Sequence, residues 1–166
     1  MLTGIRDLDY KILNKLGDKD LVNICLVNKE ASKLCDDQIF WLNRILTKFP
    51  KVPSEVFIKN KDGRSWSEYY IKDLRKTNLK NPNEVLSDGA EKGREDWVMI
   101  ALSEGADVHA VNDYALRYAA SFNGHTETVK VLLEAGADPH AQNDNALRWA
   151  RQIGHSEVVK LLKQYM

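Results

Sequence analysis

A nine-residue segment occurs twice in the C-terminal half of the chain. The sequence GADVHAVND, which begins at Gly105, returns as GADPHAQND from Gly136, 31 positions later. The motif ALRYA at residues 115–119 returns in the same phase as ALRWA at residues 146–150. Self-similarity at such a period is typical of a solenoid of stacked repeats. Because a solenoid presents an extended surface, the pattern favours binding over chemistry.

Each copy predicts two short helices joined by a turn. Gly124 and Gly154 follow the first helix of their copies, where a residue with positive φ is needed to end it. Thr126 and Ser156 are the predicted N-caps of the second helix, which carries an apolar stripe at helical spacing. The Gly-His pair at the turn returns after 30 positions because the first copy has one extra residue.

The Gly-His pair between the helices and the Gly-Ala-Asp after the second helix resemble the ankyrin repeat. The resemblance covers about residues 82–166 and implies about three repeats, the first degenerate and the last truncated. The degenerate copy is carried by Gly93, which lies in phase with Gly124. Where the family has Thr-Pro-Leu-His, this chain has NALR from Asn145, so the threonine–histidine hydrogen bonds of the family are not expected. The ALRYA and ALRWA motifs look like those in ankyrin arrays of large DNA viruses.

The N-terminal residues predict a small helical bundle. Three apolar patterns of helical spacing lie within residues 5–49, joined by short connections. Their order, with the Phe40-Trp41 pair, resembles the F-box, which docks on the Skp adaptor of cullin-RING ubiquitin ligases. Asp9 stands where the family has proline, and the later tryptophan of the family is missing. The resemblance implies that Trp41 closes the bundle. It also implies a set of adaptor-facing or core apolar residues, namely Leu8, Ile12, Leu13, Leu16, Leu21 and Val27.

Residues 50–81 form a predicted linker between the F-box-like bundle at residues 1–49 and the repeats at residues 82–166. A capping box that begins at Ser65 opens an amphipathic helix in the linker, and we expect this helix to join the two parts. One side of it carries Trp66, Tyr69, Tyr70 and Leu74. The expected fold is all-α, with an N-terminal three-helix F-box-like bundle and linker helices packed on a short ankyrin-repeat solenoid.

Charge argues against nucleic-acid and membrane partners. The formal net charge is zero, so bulk attraction to nucleic acid or to an anionic membrane is not indicated. The charge is unevenly spread, with 16 Lys+Arg against 11 Asp+Glu in residues 1–80 and 8 against 13 in residues 81–166. This split favours two modules of different character.

The sequence also predicts where the protein resides. No apolar run is long enough to span a bilayer, and the N-terminus is unlike a signal peptide. We therefore expect an intracellular, cytoplasmic protein, located in an infected host cell if the viral resemblance holds. Cys25 and Cys35 lie in helical patterns with apolar neighbours, which favours reduced core thiols.

The chain has no visible catalytic motif. It contains no Gly-rich phosphate loop, no GxSxG elbow, no HExxH and no CxxC pair. All four histidines fall at repeat-equivalent positions, which favours a structural role over metal binding or catalysis. We expect no enzyme activity, no cofactor and no metal.

Polar residues at the loop tips and first helices of the repeats are candidates for binding a target protein, because these positions line the binding face in the ankyrin family. The candidates are Asp107, His109, Asn112, Arg117, Asp138, His140, Asn143 and Arg148. The Asn-Asp pairs at residues 112–113 and 143–144 have an alternative role as caps of the helices that follow. The sequence leaves both roles open.

Two functions are compatible with this organisation. In the first, the bundle recruits the Skp adaptor of a cullin-RING ubiquitin ligase and the repeats hold a target protein. In the second, the N-terminal helices only cap an ankyrin interaction or decoy module with no ubiquitin-ligase link, as the missing proline at position 9 suggests. Charged substitutions at Leu13 or Leu16 would abolish adaptor binding in the first case and merely destabilise the fold in the second.

Overall fold

A computed structural model describes residues 15–17, 20–21, 36–78, 80–122 and 124–166 of the chain. Every regular element among these residues is a helix, which confirms the predicted all-α fold. The chain divides into two compact units. The first contains the described residues up to Pro50 together with Lys61–Lys76. The second contains Lys51–Asn60 and Thr77–Met166.

In the first unit, helix α1 (Gln38–Lys48) is the third helix of the predicted bundle. It begins where Asp37 accepts hydrogen bonds from the amides of Ile39 and Phe40, at 2.8 and 3.3 Å. These bonds satisfy two of the donors that a helix start leaves free. Trp41 is fully buried, and its role in closing the bundle stays a prediction.

The amphipathic helix predicted from Ser65 is also present in the first unit. It runs as α3 (Trp66–Tyr69), a π-helical turn (Tyr70–Leu74) and α4 (Arg75–Thr77). The Ser65 hydroxyl accepts a hydrogen bond from the amide of Glu68 at 3.1 Å, so the predicted cap is confirmed. The ring of Tyr70 packs against Trp41, with 5.2 Å between centroids, and this contact joins the helix to the core of its unit.

The second unit contains helix α2 (Ser54–Lys61) except for its last residue, and continues as three helix pairs. The pairs are α5 (Pro82–Lys92) with α6 (Glu95–Ser103), α7 (Ala110–Ser121) with α8 (Thr126–Glu134), and α9 (Ala141–Ile153) with α10 (Ser156–Tyr165). The first helices α5, α7 and α9 pack side by side in one layer, and the second helices form another. Ala115, Ala119, Ala120, Ala146 and Ala150 are buried, and such small residues allow close approach between helices.

The glycines predicted to follow the first helices have positive φ, at +62° for Gly124 and +94° for Gly154. The predicted N-caps are one residue too late. Helices α8 and α10 begin at Thr126 and Ser156, so the histidine before each of them occupies the cap position. Neither histidine side chain makes a cap bond, because both are directed to the preceding repeat, where they make the bonds described next.

Consecutive repeats are joined by a glycine and a histidine. The ring of His125 lies over Gly93, and the ring of His155 lies over Gly124. The Nε2 atom of His125 donates to the carbonyl of Glu91 at 3.3 Å, and that of His155 donates to the carbonyl of Phe122 at 3.0 Å. A side chain on either glycine would displace the ring, so the Gly-His pair both ends one helix and fixes the next repeat.

We expect Gly124→Ala to destabilise the array more than Gly154→Ala. Both residues have positive φ, which costs an alanine about 1–2 kcal/mol. Only at Gly124 would the new Cβ lie 2.6 Å from an atom of the His155 ring, whereas nothing lies within 4 Å at Gly154. Overpacking at Gly124 adds about 1–3 kcal/mol. Urea unfolding followed by circular dichroism measures the difference. Equal midpoints for the two variants would argue against the contact between Gly124 and the His155 ring.

Candidate partner-binding surface

An aspartate near the start of each loop between repeats stabilises the conformation of that loop. The Asp107 carboxylate accepts a hydrogen bond from the amide of His109 at 2.9 Å, and Asp138 accepts one from the amide of His140 at 2.8 Å. Aspartate side chains commonly stabilise turns by bonding to an amide two residues on. The two predicted aspartates thus hold the conformation of their own loops.

A left-handed turn follows each of these loops. Val111, Asn112 and Asp113 all have φ of 55°, and the equivalent residues 142–144 of the next repeat have φ of 56–57°. Arg117 stabilises the first turn by donating to the carbonyls of Asn112 and Val111, at 2.9 and 3.1 Å. Arg148 donates to the carbonyl of Gln142 at 3.4 Å. Both predicted arginines therefore lie on the first helices and stabilise the left-handed turns by hydrogen bonds.

Asp113 is buried and connects two repeats. Its Oδ1 atom accepts a hydrogen bond from the amide of Asp138 at 2.8 Å and lies 3.1 Å from Nδ1 of His109. Asn83 makes the corresponding bond one repeat earlier, with the amide of Asp107 at 2.8 Å. The capping role predicted as an alternative is wrong for Asp113, because its carboxylate bonds to the next loop instead of to its own helix.

These bonds leave the candidate target-binding side chains at the surface of the second unit. Asp107, His109, Asn112, Asp138, His140, Asn143 and Arg148 are exposed, and Arg117 is half-buried. The bond from Asp138 to Asp113 places consecutive loops side by side. The eight residues are thus accessible, and their role in binding a target stays a prediction.

The structure describes only two of the six adaptor-binding candidates. Leu8, Ile12, Leu13 and Val27 lie outside the described residues. Leu16 is half-buried, and its carbonyl accepts a hydrogen bond from Nη2 of Arg44 at 2.8 Å. Leu21 is fully buried. Its burial fits the core role of the two that the resemblance implies, and its part in adaptor binding stays a prediction. Cys25 and Cys35 also fall outside the described residues.

A row of aromatic rings on the first helices was missed by the sequence analysis. We call Tyr114, Tyr118, Phe122 and Trp149 the aromatic stripe. Ring centroids are 3.9 Å apart for Tyr114–Tyr118, 5.4 Å for Tyr118–Phe122 and 6.4 Å for Tyr118–Trp149. The spacing of four residues along α7 was a visible signal, because such residues share one helix face.

Tyr114 anchors one end of the aromatic stripe. Its hydroxyl donates to the Glu91 carboxylate of the preceding repeat. Burial and this hydrogen bond raise the pKa of Tyr114 above its ordinary value, so the hydroxyl keeps its proton further into the alkaline range than a free tyrosine does.

The described ranges contain no group of three or more histidine, cysteine, aspartate or glutamate residues arranged to hold a metal ion. Each loop instead has a separate pair, His109 with Asp113 at 3.1 Å and His140 with Asp144 at 2.8 Å. Among the same residues, none of the helices combines the length and the apolar character needed to cross a membrane.

Comparison with protein families places two modules on the chain. A model of the F-box domain matches residues 10–43. A model of ankyrin repeats matches residues 86–166 in three copies, a range that includes helices α6 to α10 in full and α5 from Leu86 onward. No curated protein gives a significant match to the chain, and the resemblance to viral ankyrin arrays stays a prediction.

We expect Asp113→Ala to destabilise the array by about 1–3 kcal/mol, because it leaves the amide of Asp138 without its acceptor. Asp113→Asn keeps an oxygen acceptor and should lose less stability than Asp113→Ala. Asp144→Ala is the matched control, since Asp144 is 44% exposed and pairs with His140, and we expect a change within about 0.5 kcal/mol. Urea unfolding midpoints measure all three. A loss in Asp144→Ala as large as that in Asp113→Ala would argue against the link between repeats.

We expect Val111→Asn to stabilise the protein by roughly 1 kcal/mol. Positive φ is unfavourable for a β-branched residue and better tolerated by asparagine, and Val111 is 73% exposed, so little burial is lost. Gln142→Asn at the equivalent position should have a smaller effect, since glutamine is not β-branched. Thermal unfolding compares the two variants. A lower midpoint for Val111→Asn would be inconsistent with a left-handed turn at this tip.

Proposed function

The chain is an F-box and ankyrin-repeat protein, and on that basis we propose that it is a substrate-recruiting adaptor of a cullin-RING ubiquitin ligase. The F-box domain would bind the Skp-type adaptor of the ligase. The ankyrin repeats would bind a target protein and hold it for ubiquitination by a separate enzyme. The proposal implies an intracellular, cytoplasmic location, where such a ligase acts.

The observation that carries this proposal is the presence of two interaction modules in one chain, an F-box domain at residues 10–43 and ankyrin repeats at residues 86–166. Together they point to a protein-interaction adaptor. Both are typically non-catalytic modules, so the proposal assigns this chain no chemistry, no cofactor and no metal. Two binding modules on one chain bring their ligands together at high effective concentration.

The repeats supply a surface suited to the proposed target. Exposed polar groups sit on loops whose conformation is already fixed by the bonds of Asp107 and Asp138 to the amides of His109 and His140. Binding to a preorganised surface loses less conformational entropy than binding to a flexible one. The accessible side chains at these tips and at Arg148 therefore favour target binding.

A pull-down with a purified Skp–cullin pair tests the adaptor half of the proposal. We expect the wild-type chain to be retained and the Leu13→Asp/Leu16→Asp variant to lose at least about thirtyfold in affinity, since apolar hot spots of interfaces contribute about 2 kcal/mol or more. Circular dichroism shows whether the variant keeps its helices.

Ile58→Asp provides a matched control, because Ile58 is an exposed apolar residue of the second unit. This variant should still bind the Skp–cullin pair. If the wild-type chain is not retained, the ubiquitin-ligase role is wrong and the N-terminal helices are structural.

A further inference from the structure

The aromatic stripe is an exposed apolar surface on the first helices of the second and third repeats. Phe122 is 54% exposed and Trp149 is 39% exposed. Ile153, one turn after Trp149 on α9, is 56% exposed and occupies the position equivalent to Phe122. Contiguous exposed apolar patches of this kind mark interaction sites.

The stripe is held in place before any partner binds. Tyr118 stacks on Tyr114 and Phe122, with interplanar angles of 23° and 22°. The hydroxyl of Tyr114 donates to Glu91, which ties the row to the preceding repeat. Rigid aromatic side chains lose little conformational entropy on binding and are frequent hot spots of interfaces.

Two arginines flank the stripe at equivalent positions of consecutive repeats. Arg117 precedes Tyr118 and Arg148 precedes Trp149 in the repeated ALRYA and ALRWA motifs. Their guanidinium groups donate to backbone carbonyls of the left-handed turns. In the part of the chain that the structure describes, neither arginine forms an ion pair with a carboxylate, so a partner's carboxylate would not have to displace one.

This positive charge stands out against its surroundings. Residues 81–166 carry 8 Lys+Arg and 13 Asp+Glu, a formal charge of −5. An acidic array disfavours nucleic acid, whose binding depends on neutralising phosphates. A local pair of arginines beside exposed rings is instead complementary to carboxylates placed next to apolar side chains.

We infer that the aromatic stripe binds a short acidic segment of a partner protein, with an apolar side chain packed on Trp149 and Phe122 and a carboxylate paired with Arg148. The inference rests on the target-binding half of the proposed function and names the chemistry of the target. In this arrangement the exposed face of the first helices α7 and α9 determines which partner binds, and the loop tips lie at the edge of the binding surface.

Selection of displayed random peptides on the full chain tests this inference. Peptides enriched in Asp and Glu next to Phe, Leu or Trp are expected. Fluorescence anisotropy of selected peptides should show at least about tenfold weaker binding to Trp149→Ala and to Arg148→Glu, as for interface hot spots, and weaker binding as salt increases. Circular dichroism confirms that the variants remain folded.

Two matched controls address nonspecific effects. Lys130→Glu reverses an exposed charge on the second helix α8, and Ile58→Ala removes an exposed apolar side chain outside the stripe. Both should bind the selected peptides as the wild type does. Adaptor binding by Trp149→Ala should also be unchanged, so that failure here is distinguishable from failure of the ubiquitin-ligase proposal.

Several outcomes would overturn the inference. These are selection of no peptides or of basic ones, affinities that do not change in Trp149→Ala and Arg148→Glu, and tighter binding of oligo(dT) than of the peptides. A dimer that is seen by sedimentation equilibrium and lost in Trp149→Ala would show that a second copy of the chain occupies the stripe instead.

Discussion

The repeat array depends on the contact between a glycine and the histidine of the following repeat. Gly93 and Gly124 leave room for the rings of His125 and His155, and each ring donates to a carbonyl near the end of the preceding first helix. The same residues that reverse the chain therefore also set the distance between repeats.

A second link acts at the other end of the first helices. Asn83 and Asp113 each accept a hydrogen bond from the amide of an aspartate in the next loop. Each of the helices α5 and α7 is thereby fixed to the following repeat at its start and at its end. Between the two links, α7 carries aromatic rings and an arginine. These side chains are themselves held by bonds, from Arg117 to the left-handed turn and from Tyr114 to Glu91. A face fixed in this way is suited to recognising a partner.

Local chemistry explains which features the sequence predicts. The repeat phase, the positive φ of Gly124 and Gly154 and the cap at Ser65 all follow from residues within a few positions of one another. The left-handed turns do not, since Val111 and Gln142 have no preference for positive φ and the turns are held by arginines several residues away.

Long-range bonds and burial account for the rest. The bond between Asp113 and Asp138 joins residues 25 positions apart, and the exposure of the aromatic stripe depends on how α7 and α9 pack. In the N-terminal part, the apolar spacing that includes Leu21 fits a core residue and a surface residue equally well, and its full burial depends on the packing of other segments.

The extra residue of the second repeat shows where such an array can change in length. The chain between Ala119 and Gly124 is one residue longer than the chain between Ala150 and Gly154. The amides of His125 and His155 nevertheless bond to the carbonyls of Ala119 and Ala150, at 3.2 and 2.8 Å. An insertion at this corner is absorbed inside a closed loop and leaves the stacking intact. The corner beside Phe122 is therefore a place where the two repeats differ in length and keep the same closing bond.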